Sequence, residues 1–258
     1  MSQDTDSLLR LELFGVPSIS LGSQRLHLSH KRAHALLAVL ALEGRMVPRN
    51  HLSSLLWPDV PAAVSRTRLR RLIYQIKEVC GRDLFERHEG GIALASRGMR
   101  CDAVEFRRIA RALIARAVPR DPEADIEALA LAACEPLMDG LTCDSEALDE
   151  WACTQRQQHQ HLLTRFLVRL AERQRTQGRR DEAADTAERL LGVDPYSEPA
   201  YVLRMALAAD ARDAAGVDAV FTRCADALRA EFGTKPSTTT ESAFVESRAR
   251  AELSNDSQ

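Results

Sequence analysis

The sequence predicts a mostly α protein in which a small α+β module precedes an all-α module of helix pairs. Three observations predict it. Apolar and polar residues alternate, as in strands, only within about the first hundred residues. Beyond them the apolar residues recur at helical spacing, and the body is packed with Leu and Ala, aromatics being only 5% of the chain. Third, the charge divides: residues 1–100 carry a net +6 and residues 101–258 a net −8.

The 258 residues are 45% hydrophobic, enough for a real core and for one or two domains. No stretch approaches the roughly 18 apolar residues of a membrane span. The start, MSQDTDSLLR, is acidic where a secretion signal is basic, so a cytoplasmic protein without membrane contact is expected. The basic residues are almost all arginine, Lys31, Lys77 and Lys235 being the only lysines. Codon bias in a GC-rich genome accounts for that, as does phosphate and base recognition, which the guanidinium fork suits.

Leu9, Leu11 and Leu13 alternate with polar positions in a first strand, and Gly15 and Pro17 break it. Ile19 and Leu21 make a second strand. Gly22-Ser23 turns the chain into a third with Leu26 and Leu28, which predicts a small antiparallel sheet. KRAHALLAVLALE (31–43) is helical and Gly44 ends it. Pro48 opens a second helix with Leu52, Leu55 and Leu56, and Trp57-Pro58-Asp59 stops it.

A third helix covers residues 61–80. Leu69, Leu72, Ile73 and Ile76 fall at i, i+3, i+4 and i+7 and form its apolar face. Thr67, Arg71 and Tyr74 lie nearly opposite, flanked by Arg68, Arg70 and Gln75. A helix that enters a major groove needs this arrangement, because Arg pairs bidentately with guanine, Gln reads adenine and Thr meets a base or phosphate. A solvated arginine-rich face explains the same pattern. The next segment favours the first reading. Strands at 84–88 and 92–94 flank Glu89-Gly90-Gly91, and a helix triplet closed by a hairpin is a winged helix-turn-helix.

These pieces (LELFG, KRAHALLAVLAL, PRNHLSSLLWPD, RTRLRRLIYQIK, then GGIAL and CDAVEF) resemble the OmpR-type winged helix of the SARP family, the Streptomyces antibiotic regulatory proteins. The Leu-Leu-Trp-Pro-Asp run at 55–59 is the most specific. Two positions depart from the family. Ile92 stands where the wing usually has a tyrosine, and the second helix begins Arg49-Asn50 rather than Arg-Asp. Two-component regulators carry a receiver domain before this fold. Here the sheet begins near residue 8, so phosphorylation of a preceding receiver is not expected as the switch.

In the acidic part, residues 103–118 read as a helix ended by Pro119. Asp121-Pro122 reads as an N-cap and first-turn pair opening a helix to about Cys134. A connector at 136–145 leads to a long helix over 146–177, in which Gln155–His161 reads as a solvated side. Gly178, Ala183 and Asp194-Pro195 lay out a tetratricopeptide-type hairpin, and 197–213 with 216–232 a second. The tail after about Leu253 reads as disordered. This part resembles the bacterial transcriptional activation domain of the same family through Asp102-x-x-x-Phe106, Trp151 with Arg156, Gly178 with Glu182-Ala183, Asp194-Pro195-x-x-Glu198 and Leu228 to Pro236-Ser237.

The expected chain is therefore an α+β winged helix-turn-helix domain (8–98) followed by an all-α tetratricopeptide-like helical-repeat domain (101–250). The expected function is a DNA-binding transcriptional activator. Its base readers are Thr67, Arg68, Arg70, Arg71 and Gln75, its phosphate or positioning contacts Lys31, Arg32, Arg49, Arg66 and Lys77, and its wing Arg87, His88, Gly90 and Gly91. The resemblance implies double-stranded DNA with direct repeats near a promoter and RNA polymerase as partners, and leaves room for a homo-oligomer on DNA. The alternative is a helical-repeat interaction scaffold whose winged helix does not bind DNA. No cofactor, metal or enzyme activity is expected. The six cysteines show no Cys-x-x-Cys spacing, His30/His34 and His159/His161 lack further ligands nearby, and no phosphate loop or hydrolase motif is present.

Overall fold

The leucines that alternate at the start of the chain build strand β1 (Leu9–Glu12), whose burial alternates inside and out. In the computed structural model, which describes residues 8–95, 99–117 and 122–253, β1 pairs antiparallel with β2 (Ser18–Leu21), and β2 with β3 (Gln24–Leu26). Leu28 is buried just past the end of β3 rather than within it. Helix α1 (Lys31–Glu43) is capped by Gly44 in the left-handed region, φ 61°, as glycine allows. After β4 (Val47–Pro48) come α2 (Arg49–Leu56) and α3 (Ala62–Cys80), then the hairpin β5 (Phe85–His88) and β6 (Gly91–Leu94).

Two strands were not foreseen. β4 adds to the hairpin, giving the order β4-β6-β5. β7 (Met99–Cys101) joins the first sheet beside β1 and runs parallel to it, Leu9 opposite Met99 and Leu11 opposite Cys101. The expected antiparallel sheet is thus a four-stranded mixed one, order β3-β2-β1-β7.

Helix α4 (Asp102–Ile114) follows β7 directly, and α5 (Glu123–Ala132), α6 (Glu146–Thr176), α7 (Arg180–Val193), α8 (Glu198–Asp210), α9 (Ala214–Phe232) and α10 (Thr238–Leu253) complete the chain. Pro122 sits at the N-cap of α5 rather than inside its first turn; Asp121 and the tail beyond Leu253 lie outside the described residues. Contacts divide the chain into Met1–Ile109 with Arg120–His159, and Ala110–Pro119 with Gln160–Gln258, so the divisions fall inside α4 and α6 and not at the charge boundary near residue 100.

In the first unit one core runs from Leu9, Leu11, Leu36, Leu40, Leu52, Leu56, Leu69 and Ile76 to Leu137, Met138, Leu148 and Ala152. Side chains distant in sequence tie it. The Asp102 carboxylate accepts from the amides of Leu13 (2.9 and 3.0 Å), Phe14 (3.1 Å) and Ala103 (2.6 Å). Burial nonetheless holds its acid above the ordinary range. Arg156 donates to the carbonyls of Leu137 (2.9 Å) and Met138 (2.8 Å), and Trp151 to the Glu43 carboxylate (3.2 Å). Phe106 meets the ring of Phe14 edge-on at 5.9 Å, and His159 packs at 5.1 and 5.2 Å from the two.

The expectation of a solvated run at Gln155–His161 is corrected here. Gln155 and His159, one turn apart, are buried. Gln155 accepts from Arg107 at 2.7 Å, and His159 Nε2 stands 2.9 Å from the Ala133 carbonyl. Polar residues enter the core when their partners are there.

In the second unit small residues, Ala171, Ala187 and Ala209 among them, let the helices approach closely. Gly178 (φ 78°) turns α6 into α7. Arg175 clamps Asp210 at 2.6 and 3.1 Å, and Arg250 adds a contact at 3.4 Å; these cations keep the Asp210 acid below the usual carboxylate range. α10 was not foreseen as a helix. It buries Thr240, Ser247 and Ala251, and its Phe244 stacks on Phe221 at 4.2 Å.

Two predictions follow from this packing. Ile73 is buried on α3, so Ile73→Ala leaves a cavity and costs about 2–5 kcal/mol in urea unfolding, while Tyr74→Ala next to it has little effect. Burial holds the His159 ring below its ordinary pKa, with the Ala133 bond acting the other way. The unfolded chain therefore takes up the proton first, and stability falls as pH drops below about 6.5, the ordinary value. Melting at pH 7.5 and 5.5 should show a smaller loss for His159→Gln than for the parent.

Candidate nucleic-acid interface

Helix α3 starts after Pro61 and ends at Gly81, φ 67°, whose N–H returns to the Glu78 carbonyl. Leu69, Leu72, Ile73 and Ile76 are buried as their spacing predicts. Rotating 100° per residue from that face brings Thr67, Arg71 and Tyr74 to the top, all exposed, Tyr74 at 61%. Thr67 Oγ1 bonds back to the Ala63 carbonyl at 3.1 Å.

The two edges of α3 line different clefts. Arg66, Arg70, Tyr74 and Lys77 share one with Arg49, Asp83, Arg87 and Ile92, between α3 and the hairpin. Arg68, Arg71 and Gln75 share the other with Lys31, Trp57, Thr142 and Asp144. Of the five predicted readers, Thr67, Arg68, Arg70 and Arg71 are exposed and Gln75 is half-buried.

The hairpin turns through Glu89 (φ 31°) and Gly90 (φ 84°), the two positive values that a two-residue turn of matching twist requires. The Gly90 carbonyl accepts from the Arg49 amide at 2.9 Å, which fixes the hairpin to the start of α2. A Cβ on Gly91 would collide with the Met46 side chain. Arg87 pairs with Asp83 through both nitrogens, at 2.9 and 3.1 Å, and Lys77 stands at 4.0 Å. The Arg87 hydrogen bond pulls the Asp83 acid below its ordinary range. His88 is exposed beside the turn. Ile92, where the resembled wing usually has a tyrosine, is fully buried opposite Val47 and forms part of the apolar floor of the cleft. Asn50 is exposed and the N-cap of α2 is Pro48, so the Arg-Asn departure changes no cap.

Arg32, half-buried, has a structural task at the place where a phosphate or positioning contact was expected. Its Nε donates to the Leu56 carbonyl at 3.1 Å and its Nη2 to the Cys143 carbonyl at 2.6 Å. That guanidinium joins α1, the end of α2 and the connector, and it lines the same cleft as Arg68, Arg71 and Gln75. Lys31, one residue earlier, is exposed. Sequence reasoning missed Asp83, which orients Arg87, and Thr142 and Asp144, which the connector brings beside the readers. Nothing in the local pattern marks those three. Tyr74 was seen opposite the apolar face but given no role. Among the described residues no three His, Cys, Asp or Glu side chains converge to hold a metal ion, and no helix is long and apolar enough to cross a membrane.

Residues 101–246 match the family model described as the bacterial transcriptional activator domain. No curated protein matches the chain in sequence. Among solved structures, Mycobacterium tuberculosis EmbR, determined in complex with a low-affinity phosphopeptide, superposes with a TM-score of 0.65 at 17% identity, over 96% of this chain and 70% of that one. At that identity the likeness establishes the fold.

The different surroundings of Arg32 and Arg71 predict different outcomes. Arg32→Met strips two carbonyls of a charged donor and destabilises by about 1–3 kcal/mol. Arg71→Met, on the open surface, changes stability by less than about 0.5 kcal/mol. Urea titrations followed by circular dichroism check both.

Proposed function

The chain belongs to the bacterial transcriptional activator domain family, and we propose that it is a sequence-specific DNA-binding regulator that activates transcription by recruiting RNA polymerase. In this reading residues 8–98 form the DNA-binding module and 101–250 the activator module. Helix α3 enters the major groove, where Thr67, Arg68, Arg70, Arg71 and Gln75 meet base edges. Lys31, Arg49, Arg66 and Lys77 meet phosphates, Arg32 positions the cleft beside them, and Arg87, His88, Gly90 and Gly91 bring the hairpin to the neighbouring backbone or minor groove.

The observation that carries the reading is the exposed crown of α3. Arg71 stands on it, with Arg68 and Gln75 at one edge and Arg66, Arg70 and Lys77 at the other, and the buried face leaves all six free of the core. Direct-repeat operators near promoters, and assembly of more than one copy on them, belong to the same proposal, as does action in the cytoplasm.

Selection of random duplexes by the purified protein tests it. A repeated motif should be enriched, and binding to that motif should weaken as salt rises. Arg71→Ala should then weaken specific binding by about 1–3 kcal/mol and leave the melting temperature unchanged. Folded protein that enriches nothing at low salt would move the reading to a helical-repeat scaffold.

A further inference from the structure

The cleft between α3 and the hairpin has more positive charge than its own carboxylate answers. Five cations line it (Arg49, Arg66, Arg70, Lys77 and Arg87) around the single carboxylate of Asp83. Arg87 and Lys77 already share Asp83. Arg49, Arg66 and Arg70 have no carboxylate partner among the described residues. The Arg49 Nε is buried with no hydrogen-bond acceptor. A buried, unmet charged donor calls for an acceptor, commonly an ion or ligand.

The floor is apolar. Leu69, Ile73 and Ile92 are all buried beneath the cations, and a dry floor strengthens any charge interaction above it. Guanidinium forks match the paired oxygens of phosphate, and several forks around one space suit an anion of charge −2 or more better than a single carboxylate. The cleft measures about 280 Å³. That lies just below the range of roughly 300–1,000 Å³ for drug-sized ligands, which fits a small phosphate compound.

We propose that this cleft is a phosphate-binding site that takes small free phosphate compounds in the absence of DNA. The inference goes beyond the DNA reading and stands without it. A phosphate group reaches the cleft from either of two sources, a dissolved compound or the backbone of a duplex. If both use it, dissolved phosphate compounds compete with DNA for the protein.

The test uses the full chain and inorganic pyrophosphate as the probe, titrated calorimetrically at fixed ionic strength with no DNA present. The expected result is one saturable site per chain and a raised melting temperature at saturation. Affinity should fall at least tenfold in Arg66→Gln/Arg70→Gln, whose exposed side chains leave the fold intact, and again in Arg49→Gln. It should stay unchanged in Lys235→Gln, a cation of the other unit. Non-saturable heats, or equal affinity in the Arg66/Arg70 variant, would overturn the proposal. Adding an unrelated duplex to the loaded protein identifies the source. Release of pyrophosphate shows that backbone and free phosphate share the cleft, and retention shows that the free compound alone fills it. Failure of pyrophosphate to bind while duplex binding still depends on Arg66 and Arg70 overturns the free-ligand site and leaves the DNA reading standing.

Discussion

The last carbonyls of a helix have no partner within the helix, and the first unit depends on how distant residues serve them. Helix α2 stops at Trp57-Pro58, and Pro58 has no N–H to offer the turn before it. The Leu55 carbonyl is met by the Ser145 hydroxyl at 2.6 Å and the Leu56 carbonyl by Arg32. The same demand recurs elsewhere. Arg107 reaches the Leu42 carbonyl in the last turn of α1 at 3.1 Å, and His159 reaches Ala133 just past α5. Each donor lies at least 24 residues from its acceptor, so meeting the backbone's demand also fixes the tertiary arrangement. The Leu-Leu-Trp-Pro-Asp run thereby acquires a physical meaning. It makes a helix end that is completed from the connector, and this sets the connector beside α3.

Charge is organised on a finer scale than the split near residue 100 suggests. Between Asp121 and Gln155 the sequence has ten carboxylates and no Lys or Arg. Most of the acidic excess therefore lies in the first unit, together with the basic α3, and little of it in the repeat helices. The two are not kept apart, since Asp144 of that acidic stretch lines the cleft with Arg68 and Arg71.

The elements legible in the sequence were those whose burial follows a period. The alternating leucines of β1, the Ala/Leu run of α1 and the i, i+3, i+4, i+7 stripe of α3 stand where their patterns put them. So does the Glu89-Gly90 turn, because its two residues supply the backbone angles the turn needs. What escaped depended on partners far along the chain. β7 is three residues long and pairs with β1 across most of the first unit. α10 docks through Thr240, Ser247 and Ala251, which make no apolar stripe. Gln155 and His159 look like surface residues until Arg107 and the Ala133 carbonyl are brought to them. The carbonyls of Leu56 and Cys143 that Arg32 meets lie 24 and 111 residues away, so its structural task could not be read from its neighbours in sequence.

The residues that carried the resemblance are nearly all ties or turns. Asp102 gathers three amides, Arg156 two carbonyls, Gly178 takes a positive φ, and Glu198 accepts from the Ser237 amide and hydroxyl at 2.8 Å each. Where such a tie is part-buried, as at Asp102 and Arg156, removing it leaves backbone partners unmet. Such positions identify a scaffold. The top of α3 obeys no comparable constraint: Thr67, Arg71 and Tyr74 touch little, and any residue of reasonable helix propensity would serve the fold there. That surface is therefore free to vary without cost to the fold. A family match over residues 101–246 therefore speaks for the scaffold, and the surface of α3, at residues 62–80, lies outside it.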